Sequence, residues 1–299
     1  MPASFEQFVL SWLATVAIVD LKRSGYREYE SICRVHLMPA FGDMPIEGIT
    51  PVLIQGYVAD KVASGLSPRT TANHVQVLRR ILAYALTCGL VTENAASKVR
   101  LPRQERSEMR FLDPSQLRQL IEATPSSWRL LIATAALTGL RKSSQLSLLF
   151  TDVSLEAGTI SVTKAIRGGV VTSTKTDVTG SIPLPESLIP MLEARRLNAP
   201  NPDGLIFCRS DGSPLPDSLP NGLLAKSLAT AGLPSIRWHD LRHSWVVAHL
   251  KAGTDIPTLQ RLGLWKNANT LLSTYAHVLP ATGGDAVRRL DEIVGSESK

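Results

Sequence analysis

Three helix starts along the chain are marked in the same way, by a capping residue followed directly by proline. The pairs are Thr50-Pro51, Ser67-Pro68 and Asp113-Pro114. The side chain of the first residue can accept a hydrogen bond from a free backbone N–H, and proline fits the first helical position. Gly65 and Gly89 then supply two helix ends. Together these signals predict that the first hundred residues fold as a set of helices.

The helix predicted after Pro68 also shows where a core should lie. Apolar residues recur on one of its faces at helical spacing: Val75, Leu78, Ile81 and Leu82. This stripe leaves Arg69, Arg79 and Arg80 for the other faces of the helix. A length of 299 residues with 44% hydrophobic residues exceeds one small core and indicates two globular domains.

Positive charge is concentrated in one stretch of the chain. Residues 61–110 contain nine Lys and Arg against three Glu, so this window has the same net charge, +6, as the whole chain. Residues 99–112 lack periodicity and include Arg100, Arg103, Arg106 and Arg110, which is typical of an extended linker. A local excess of cations suits a polyanion, because each phosphate contact releases condensed counterions. A solvated basic face is the alternative that charge alone leaves open.

The second half of the chain mixes helices with a few short strands. Strands are predicted at 159–165, 170–174 and 181–184, with helices before and after them. We therefore expect a helical domain over 1–98, a basic linker over 99–112 and a second domain over 113–280. Residues 281–299 form a tail in which Val287, Leu290, Ile293 and Val294 make one apolar stripe, as in a docking helix.

The remaining bulk features argue against several classes of protein. Cys33, Cys88 and Cys208 are far apart and odd in number, so neither a disulfide framework nor zinc spacing emerges, and a reducing cytoplasm is expected. The apolar run at 9–19 is interrupted by Ser11 and Thr15 and is too short to span a bilayer. We expect no membrane association.

One short motif combines residues that suit a phosphate group. If a helix begins at His239, then His239 and Arg242 share one of its faces. Arginine donates a two-pronged pair of hydrogen bonds to phosphate, and histidine gives or takes a proton near neutral pH. His239 and His243 also match the spacing of zinc-binding histidine pairs. The usual glutamate after the first histidine is absent and Arg242 would place a cation beside the metal, so the sequence favours phosphate.

Four more residues complete the candidate site. Arg141 follows Gly139, which ends a predicted helix, and Lys175 falls on the turn between two predicted strands. Trp265 offers an indole N–H, and Tyr275 is the only tyrosine after Tyr84. None of these residues would indicate a functional site by itself, since most such residues are solvated or lie in a core. Their order and spacing single them out.

The ordered set resembles the tyrosine recombinase family, and most closely its phage-type integrases. Thr138-Gly-Leu-Arg141 is similar to the first arginine box of the family, and Lys175 followed by Ile182-Pro-Leu184 resembles the hairpin that carries its lysine. His239-Asp-Leu-Arg242-His243 resembles the second box, and Thr274-Tyr275-Ala-His-Val278 the box of the nucleophile. Trp265 stands where the family has histidine or, less often, tryptophan. The resemblance covers nearly the whole chain.

The resemblance implies a fold and an activity. The fold would be mainly α, with a helical SAM-like core-binding domain followed by an α+β catalytic domain that holds a small antiparallel sheet. The activity would be site-specific DNA recombination or integration through a 3′-phosphotyrosyl bond to Tyr275. Arg141 and Arg242 would hold the non-bridging oxygens and Trp265 would donate a further hydrogen bond. His239 would take the proton of the tyrosine, and Lys175 would protonate the leaving 5′ oxygen.

The resemblance also implies partners. They are double-stranded DNA, three further copies of the chain in a tetramer on two DNA sites, and a DNA-bending accessory protein. Neither a metal nor another cofactor is expected. Phosphate contacts are expected from arginines of the first domain and linker: Arg69, Arg79, Arg80, Arg100, Arg103 and Arg106. We expect the chain to begin at the core-binding domain, without the arm-binding domain of some integrases.

One departure from the family pattern keeps alternatives open. Ser144 occupies the position, three after Arg141, where the family usually has an acidic residue that supports the active-site hydrogen bonds. A non-catalytic DNA-binding protein is therefore one alternative. A metal-dependent hydrolase built on His239 and His243 is another, and a topoisomerase of related chemistry is a third.

Overall fold

The computed structural model describes residues 4–104, 109–167, 170–173, 179–276 and 283–295. The chain divides into two compact units, Met1–Ser107 and Glu108–Lys299. The boundary lies inside the segment predicted as a linker. Within the described ranges, no helix is both long enough and apolar enough to cross a bilayer.

The first unit is built of helices. They are α1 Phe5–Trp12, α2 Ile18–Asp20, α3 Arg23–Ile32, α4 Met38–Phe41, α5 Pro51–Ala63 and α6 Pro68–Thr87. Wider π-helical turns at Leu13–Ala17 and Cys33–Leu37 join α1 to α2 and α3 to α4. Helix α4 follows directly on the π-helical turn at Cys33–Leu37, with Pro39 in its first turn.

The predicted cap–proline pairs begin helices as expected. The Thr50 hydroxyl accepts from the Leu53 N–H and the Ser67 hydroxyl from the Thr70 N–H. The predicted core stripe of α6 is confirmed, since all four of its side chains are buried against aromatic and aliphatic residues of α1, α4 and α5. Burial of such side chains supplies most of the stability of a helical unit this size.

Both ends of the predicted linker are fastened to their own unit. The amide of Gln55 bonds the backbone of Arg100 twice, accepting from its N–H at 3.0 Å and donating to its carbonyl at 3.2 Å. In the second unit the Leu112 N–H donates to the Ser244 hydroxyl at 2.9 Å. Residues 105–108 lie outside the described residues, and Arg106 with them.

The second unit carries nine described helices around a small amount of sheet. They are α7 Pro114–Ala123, α8 Ser126–Thr138, α9 Lys142–Gln145, α10 Ile189–Leu197, α11 Leu219–Thr230, α12 Trp238–Lys251, α13 Ile256–Leu262, α14 Asn269–Tyr275 and α15 Gly283–Gly295. The capping box of Asp113 and Gln116 begins α7, as the sequence predicted for a helix start.

The strands form two separate antiparallel sheets among the described residues. They are β1 Val153–Ser154, β2 Thr159–Val162, β3 Lys164–Arg167, β4 Val170–Ser173 and β5 Gly180–Pro183. The first sheet has the order β1-β2-β5, and the second is the hairpin β3-β4. The strand predicted at 159–165 is thus two strands in different sheets. Residues 174–178, which include Lys175, lie outside the described residues. A mainly helical chain with a small antiparallel sheet is confirmed.

Candidate active site

Arg242 is the most deeply fixed cation of the site. It lies one turn into α12, and only 4% of the residue is exposed. Its guanidinium donates to the carbonyl of Gly139 and to that of Gly263, both at 2.6 Å. Burial lowers the pKa of Arg242 to about 9, and the nearby charge of Arg141 acts in the same direction. The group therefore remains a cation at neutral pH and is held in one orientation.

Glycine is required at both of these carbonyls because an aromatic ring lies against each. Gly139 ends α8 in the left-handed region (φ 60°), and a Cβ there would overlap the ring of Trp245. A Cβ on Gly263 would overlap the ring of Trp265. Leu264 follows in the left-handed region as well (φ 52°), which a branched side chain rarely adopts. Such local strain is often found at functional sites.

The same turn positions the second arginine. Arg141 follows the Gly139 turn directly and is the N-cap residue of α9. Its guanidinium lies 3.5 Å from the Leu264 carbonyl, at the limit of a hydrogen bond. The turn at Gly263 and Leu264 therefore contacts both arginines that the sequence assigned to the site, and brings together residues 123 positions apart.

Trp265 packs its ring face on Arg242 and on a second indole. The Cζ atom of Arg242 is 3.6 Å from the Trp265 ring centroid, which is a close cation–π contact. Trp265 also stacks on Trp245 with 6.4 Å between ring centroids. The side chain is half-buried. The Trp265 ring therefore covers one side of the Arg242 guanidinium.

Tyr275 is the last residue of α14 and only 3% exposed. Its hydroxyl lies 2.5 Å from Nδ1 of His243. Burial raises the pKa of Tyr275 to about 12, although the positive charge of Arg242 acts in the opposite direction. The phenol is therefore protonated at neutral pH, and its oxygen is close enough to Arg242 to be influenced by that charge.

The hydrogen-bond partner of Tyr275 differs from the histidine that the sequence assigned to it. The sequence assigned its proton to His239, but the hydrogen bond at the hydroxyl is made by His243, which the sequence considered only as a zinc ligand. The two histidine rings are 5.0 Å apart edge to face. The residue His239 is exposed as a whole, but its ring is desolvated, and this, followed by the charges of His243, Arg242 and Arg141, lowers its pKa to about 4.

A further residue of the motif fixes the start of α12. The carboxylate of Asp240 accepts from the backbone N–H of Arg237 at 2.7 Å and from its guanidinium at 2.8 and 3.1 Å. Asp240 is buried, and these bonds hold its pKa below its usual value against the opposing effect of burial. Its negative charge raises the pKa of both His239 and His243. Sequence reasoning missed this role, although a carboxylate three residues after the N-cap is a known capping signal.

An open cavity of about 770 Å³ adjoins the site. Its lining includes Arg141, Lys142, Arg237 and His239, with one carboxylate from Asp217. Cations outnumber the acid, so the lining suits an anionic ligand.

Nearby, Ser144 is buried and its carbonyl accepts from the Ser147 hydroxyl at 2.8 Å. Backbone carbonyls of residues 139, 263 and 264 are the acceptors that contact the two arginines of this site.

The first-unit arginines differ in how they are used. Arg69, Arg100 and Arg103 have exposed side chains. Arg79 is half-buried and donates to the Ala96 carbonyl at 3.0 and 3.3 Å. Arg80 pairs with Asp20 at 3.2 Å on the surface, a contact that contributes little stability. Arg79 is thus tied into its own unit, and the others remain candidates for phosphate contacts.

Within the described ranges, no three His, Cys, Asp or Glu residues are grouped so that they could hold a metal ion. His239 and His243 thus gain no third ligand there. Nδ1 of His243 is already bonded to Tyr275, and the Asp240 carboxylate to Arg237. The three cysteines are all free.

Comparison with known families matches two parts of the chain. Residues 110–282 match the phage integrase family, and residues 4–62 match the phage integrase N-terminal SAM-like domain. Among curated relatives, a putative prophage phiRv2 integrase of Mycobacterium tuberculosis is 28% identical over 87% of this chain and 71% of its own length. The tyrosine recombinase XerC of Mesorhizobium japonicum is 28% identical over 84% of this chain and 85% of its own length.

Solved structures share the fold over most of the chain. The Tn1549 transposon integrase in complex with a circular intermediate DNA has a TM-score of 0.81 at 16% identity, over 98% of this chain and 99% of that one. A lambda integrase tetramer bound to a Holliday junction has a TM-score of 0.74 at 18% identity, over 90% of this chain and 77% of that one. The expected fold class, including the SAM-like first domain, is confirmed.

Proposed function

The chain belongs to the phage integrase family, and on that premise we propose that it cleaves and rejoins DNA at specific sites through a covalent bond to Tyr275. The observation that carries the proposal is the Arg242 guanidinium, which two backbone carbonyls hold in place. Its positive charge is close enough to the Tyr275 hydroxyl to lower the pKa of that group. A phosphodiester gains negative charge as it is attacked, and preorganised cations stabilise that charge without further rearrangement.

The proposed chemistry divides among the clustered side chains. The Tyr275 oxygen attacks phosphorus in line and leaves a 3′-phosphotyrosine and a 5′ oxygen. Arg242 and Arg141 bind the two non-bridging oxygens, while His239 and the Trp265 indole N–H donate further hydrogen bonds. Lys175 protonates the leaving oxygen; its structure lies outside the described residues, so this role rests on the family pattern. The phosphotyrosine keeps the energy of the broken bond, so rejoining needs no nucleotide.

DNA contacts are proposed for the basic stretch of the first unit. Exposed Arg69, Arg100 and Arg103 suit phosphates because each would release a condensed counterion on contact. Arg80 and Arg106 remain predictions of the same kind. The proposed substrate is double-stranded DNA, and the cytoplasm is the proposed place of action.

Self-association is proposed through the tail. Helix α15 exposes an apolar stripe whose side chains are 62–70% exposed: Val287, Leu290, Ile293 and Val294. Apolar side chains this open on one face of a helix suit a partner surface. We propose that the stripe docks on a neighbouring copy in a tetramer on two DNA sites. Deleting residues 283–299 should reduce the mass of the DNA complex, and an unchanged mass would assign the stripe to its own unit. A DNA-bending accessory protein is also proposed.

Two alternatives are weaker on specific grounds. A metal-dependent hydrolase would need His243 free for the metal, whereas its Nδ1 contacts Tyr275. A non-catalytic DNA-binding protein would have no use for a buried cation held by two carbonyls beside a tyrosine. Chelator sensitivity of DNA cleavage would support the hydrolase, and DNA binding without a covalent adduct would support the non-catalytic protein.

The decisive experiment uses a pool of nicked duplexes with randomised sequence. The nick lets a short fragment leave after attack, which traps the protein on DNA. Wild type should give a slow band on a denaturing gel, and sequencing its DNA would give the target site. Tyr275→Phe should bind DNA without forming the band, whereas the matched Tyr84→Phe should form it. A band in Tyr275→Phe, or none in wild type, would contradict the proposal.

A further inference from the structure

The hydroxyl of Tyr275 and Nδ1 of His243 form the shortest side-chain hydrogen bond of the described site, at 2.5 Å. Tyr275 ends α14, and His243 lies in the second turn of α12. Their ring centroids are 5.6 Å apart at 54°. The contact joins residues 32 positions apart and is enclosed, because Tyr275 is buried and His243 half-buried.

The protonation states give this bond a direction. Burial raises the pKa of Tyr275 to about 12, so the phenol carries its proton. Burial lowers the pKa of His243 from its ordinary value, which favours the neutral imidazole. A phenol O–H therefore donates to an unprotonated Nδ1, and the ring proton lies on Nε2. The tautomer is assigned from these partners.

We propose that His243 is the general base that accepts the proton of Tyr275 during attack on DNA, a role that rests on the proposed function. As the tyrosine oxygen bonds to phosphorus, its O–H bond breaks and the proton moves to Nδ1 of His243, giving an imidazolium. The bond from phosphorus to the 5′ oxygen breaks, and that oxygen takes up a proton, a donor role that the family pattern gives to Lys175. In rejoining, the imidazolium returns the proton to the departing tyrosine oxygen.

The groups around His243 suit a transient positive charge. Asp240 lies one turn earlier on α12, and its carboxylate raises the pKa of His243. Arg237 and Arg242 act in the opposite direction, and the edge of His239 faces the ring from 5.0 Å. The cations keep the ring ready to accept a proton, while Asp240 stabilises the imidazolium once it forms.

His239 is thereby left for a different task. Its side chain is exposed, and it lines the same cation-rich cavity as Arg141 and Arg237. The two histidines, four residues apart on α12, would then act on different groups of the reaction. His239 contacts the phosphate, and His243 serves the nucleophile.

The test compares covalent attachment by His243→Asn, His243→Leu and wild type, using the DNA sequence recovered from the nicked pool. The amide oxygen of asparagine can accept the phenol hydrogen bond but cannot take up its proton. General-base catalysis contributes about 10²–10⁴ in rate, so both variants should be at least about 10²-fold slower at pH 7. Full activity of His243→Asn would overturn the proposal and leave His243 a positioning residue.

The pH profile separates lost chemistry from lost structure. Wild type should be flat between about pH 7 and 8, because burial favours the neutral form of His243 and Arg242, whose pKa is about 9, is still mostly charged there. His243→Asn should gain about tenfold per pH unit, as hydroxide ionises more of Tyr275. A misfolded variant would show no such recovery, and parallel profiles would overturn the proposal. His249→Asn is the matched control on α12, where Nδ1 bonds the Thr254 hydroxyl at 3.1 Å outside the site.

Two further measurements sharpen the outcome. A substrate with sulfur at the 5′ leaving position needs no proton on departure, so it should restore Lys175→Ala but leave His243→Leu slow.

Without DNA, ¹⁵N NMR should find Nδ1 of His243 unprotonated and Nε2 protonated at pH 7, with the signal assigned by its loss in His243→Asn. A proton on Nδ1 would overturn the proposal. Absence of any wild-type adduct would instead reject the proposed function itself.

Discussion

The Cζ atom of Arg242 lies over the Trp265 indole, 3.6 Å from its centroid. The same guanidinium bonds the carbonyl of Gly263, two residues before that indole. One short turn therefore supplies both an acceptor and a wall for a buried cation. This arrangement explains why a flat ring suits position 265.

Trp265→Ala should slow covalent attachment to DNA about 10- to 30-fold. A desolvated cation–π contact contributes up to about 2 kcal/mol, and its loss lets Arg242 move. Trp265→His should be less affected, because it keeps a ring and an N–H. Attachment rates on the recovered target sequence give the comparison. If alanine and histidine behave alike, the flat ring face has no special part in holding Arg242.

Arg242→Ala and Arg141→Ala should each lose about 10²–10³ in cleavage rate, as expected for one transition-state donor. Arg242→Lys should fail almost as badly, because a single ammonium cannot take the planar, two-carbonyl geometry of the guanidinium. Single-turnover cleavage with saturating protein isolates the chemical step. Near-normal rates in both alanine variants would remove the arginines from the reaction.

Gly139→Ala should destabilise the second unit more than Gly232→Ala. Both glycines have a left-handed φ, 60° and 64°, so each substitution costs about 1–2 kcal/mol in backbone conformation. Only at Gly139 would the new Cβ overlap the Trp245 ring, which adds about 1–3 kcal/mol. Denaturant unfolding of the two variants gives the difference. Equal losses would show that the close contact is easily relieved.

Acid should weaken the first unit through His74. Its Nδ1 bonds the Tyr57 hydroxyl at 2.9 Å, and its pKa is lowered to about 4 by burial first, then by His36 and Lys61. A histidine whose folded pKa lies below its unfolded value stabilises the fold above pH 6.5, and this contribution disappears as the pH falls towards 4. The loss is on the order of 2 kcal/mol. His74→Asn should unfold with a smaller difference between pH 7.5 and 4.5, and an unchanged difference would refute this origin.

Salt dependence should distinguish the arginines of the first unit. Arg100→Ala and Arg103→Ala should each reduce the slope of log affinity against log salt by about 1, since each exposed cation meets one phosphate. Arg79→Ala should leave the slope unchanged and reduce stability by about 1–2 kcal/mol, because its guanidinium serves the Ala96 carbonyl. Salt titrations of DNA binding decide this, and a reduced slope for Arg79→Ala would restore it as a phosphate contact.

Local signals predicted much of the fold. Caps before proline gave the starts of α5, α6 and α7, and the apolar stripe of α6 gave its buried face, because these patterns act within one helix. The division of the 159–165 strand was not predictable, since β2 and β3 differ in their pairing partners and not in composition. A pairing partner is a property of the folded chain.

The site shows the same limit. Spacing placed Arg141, Arg242, Trp265 and Tyr275 in the order of the family, and the structure brings the two arginines, the indole and the phenol into one cluster. The acceptors that orient the arginines are backbone carbonyls at Gly139 and Gly263, which no side-chain pattern identifies. The hydrogen-bond partner of Tyr275 was missed because two histidines lie one helical turn apart on α12. The sequence alone does not show which of the two faces the phenol.

The burial of Tyr275 bears on how such a protein behaves away from its target. A protein that diffuses along DNA passes many phosphodiesters outside its target site. If Tyr275 is the nucleophile, as proposed, its burial and its bond to His243 would shield the hydroxyl from these phosphodiesters. Burial of the hydroxyl would therefore limit DNA cleavage outside target sites, independently of any recognition of the base sequence.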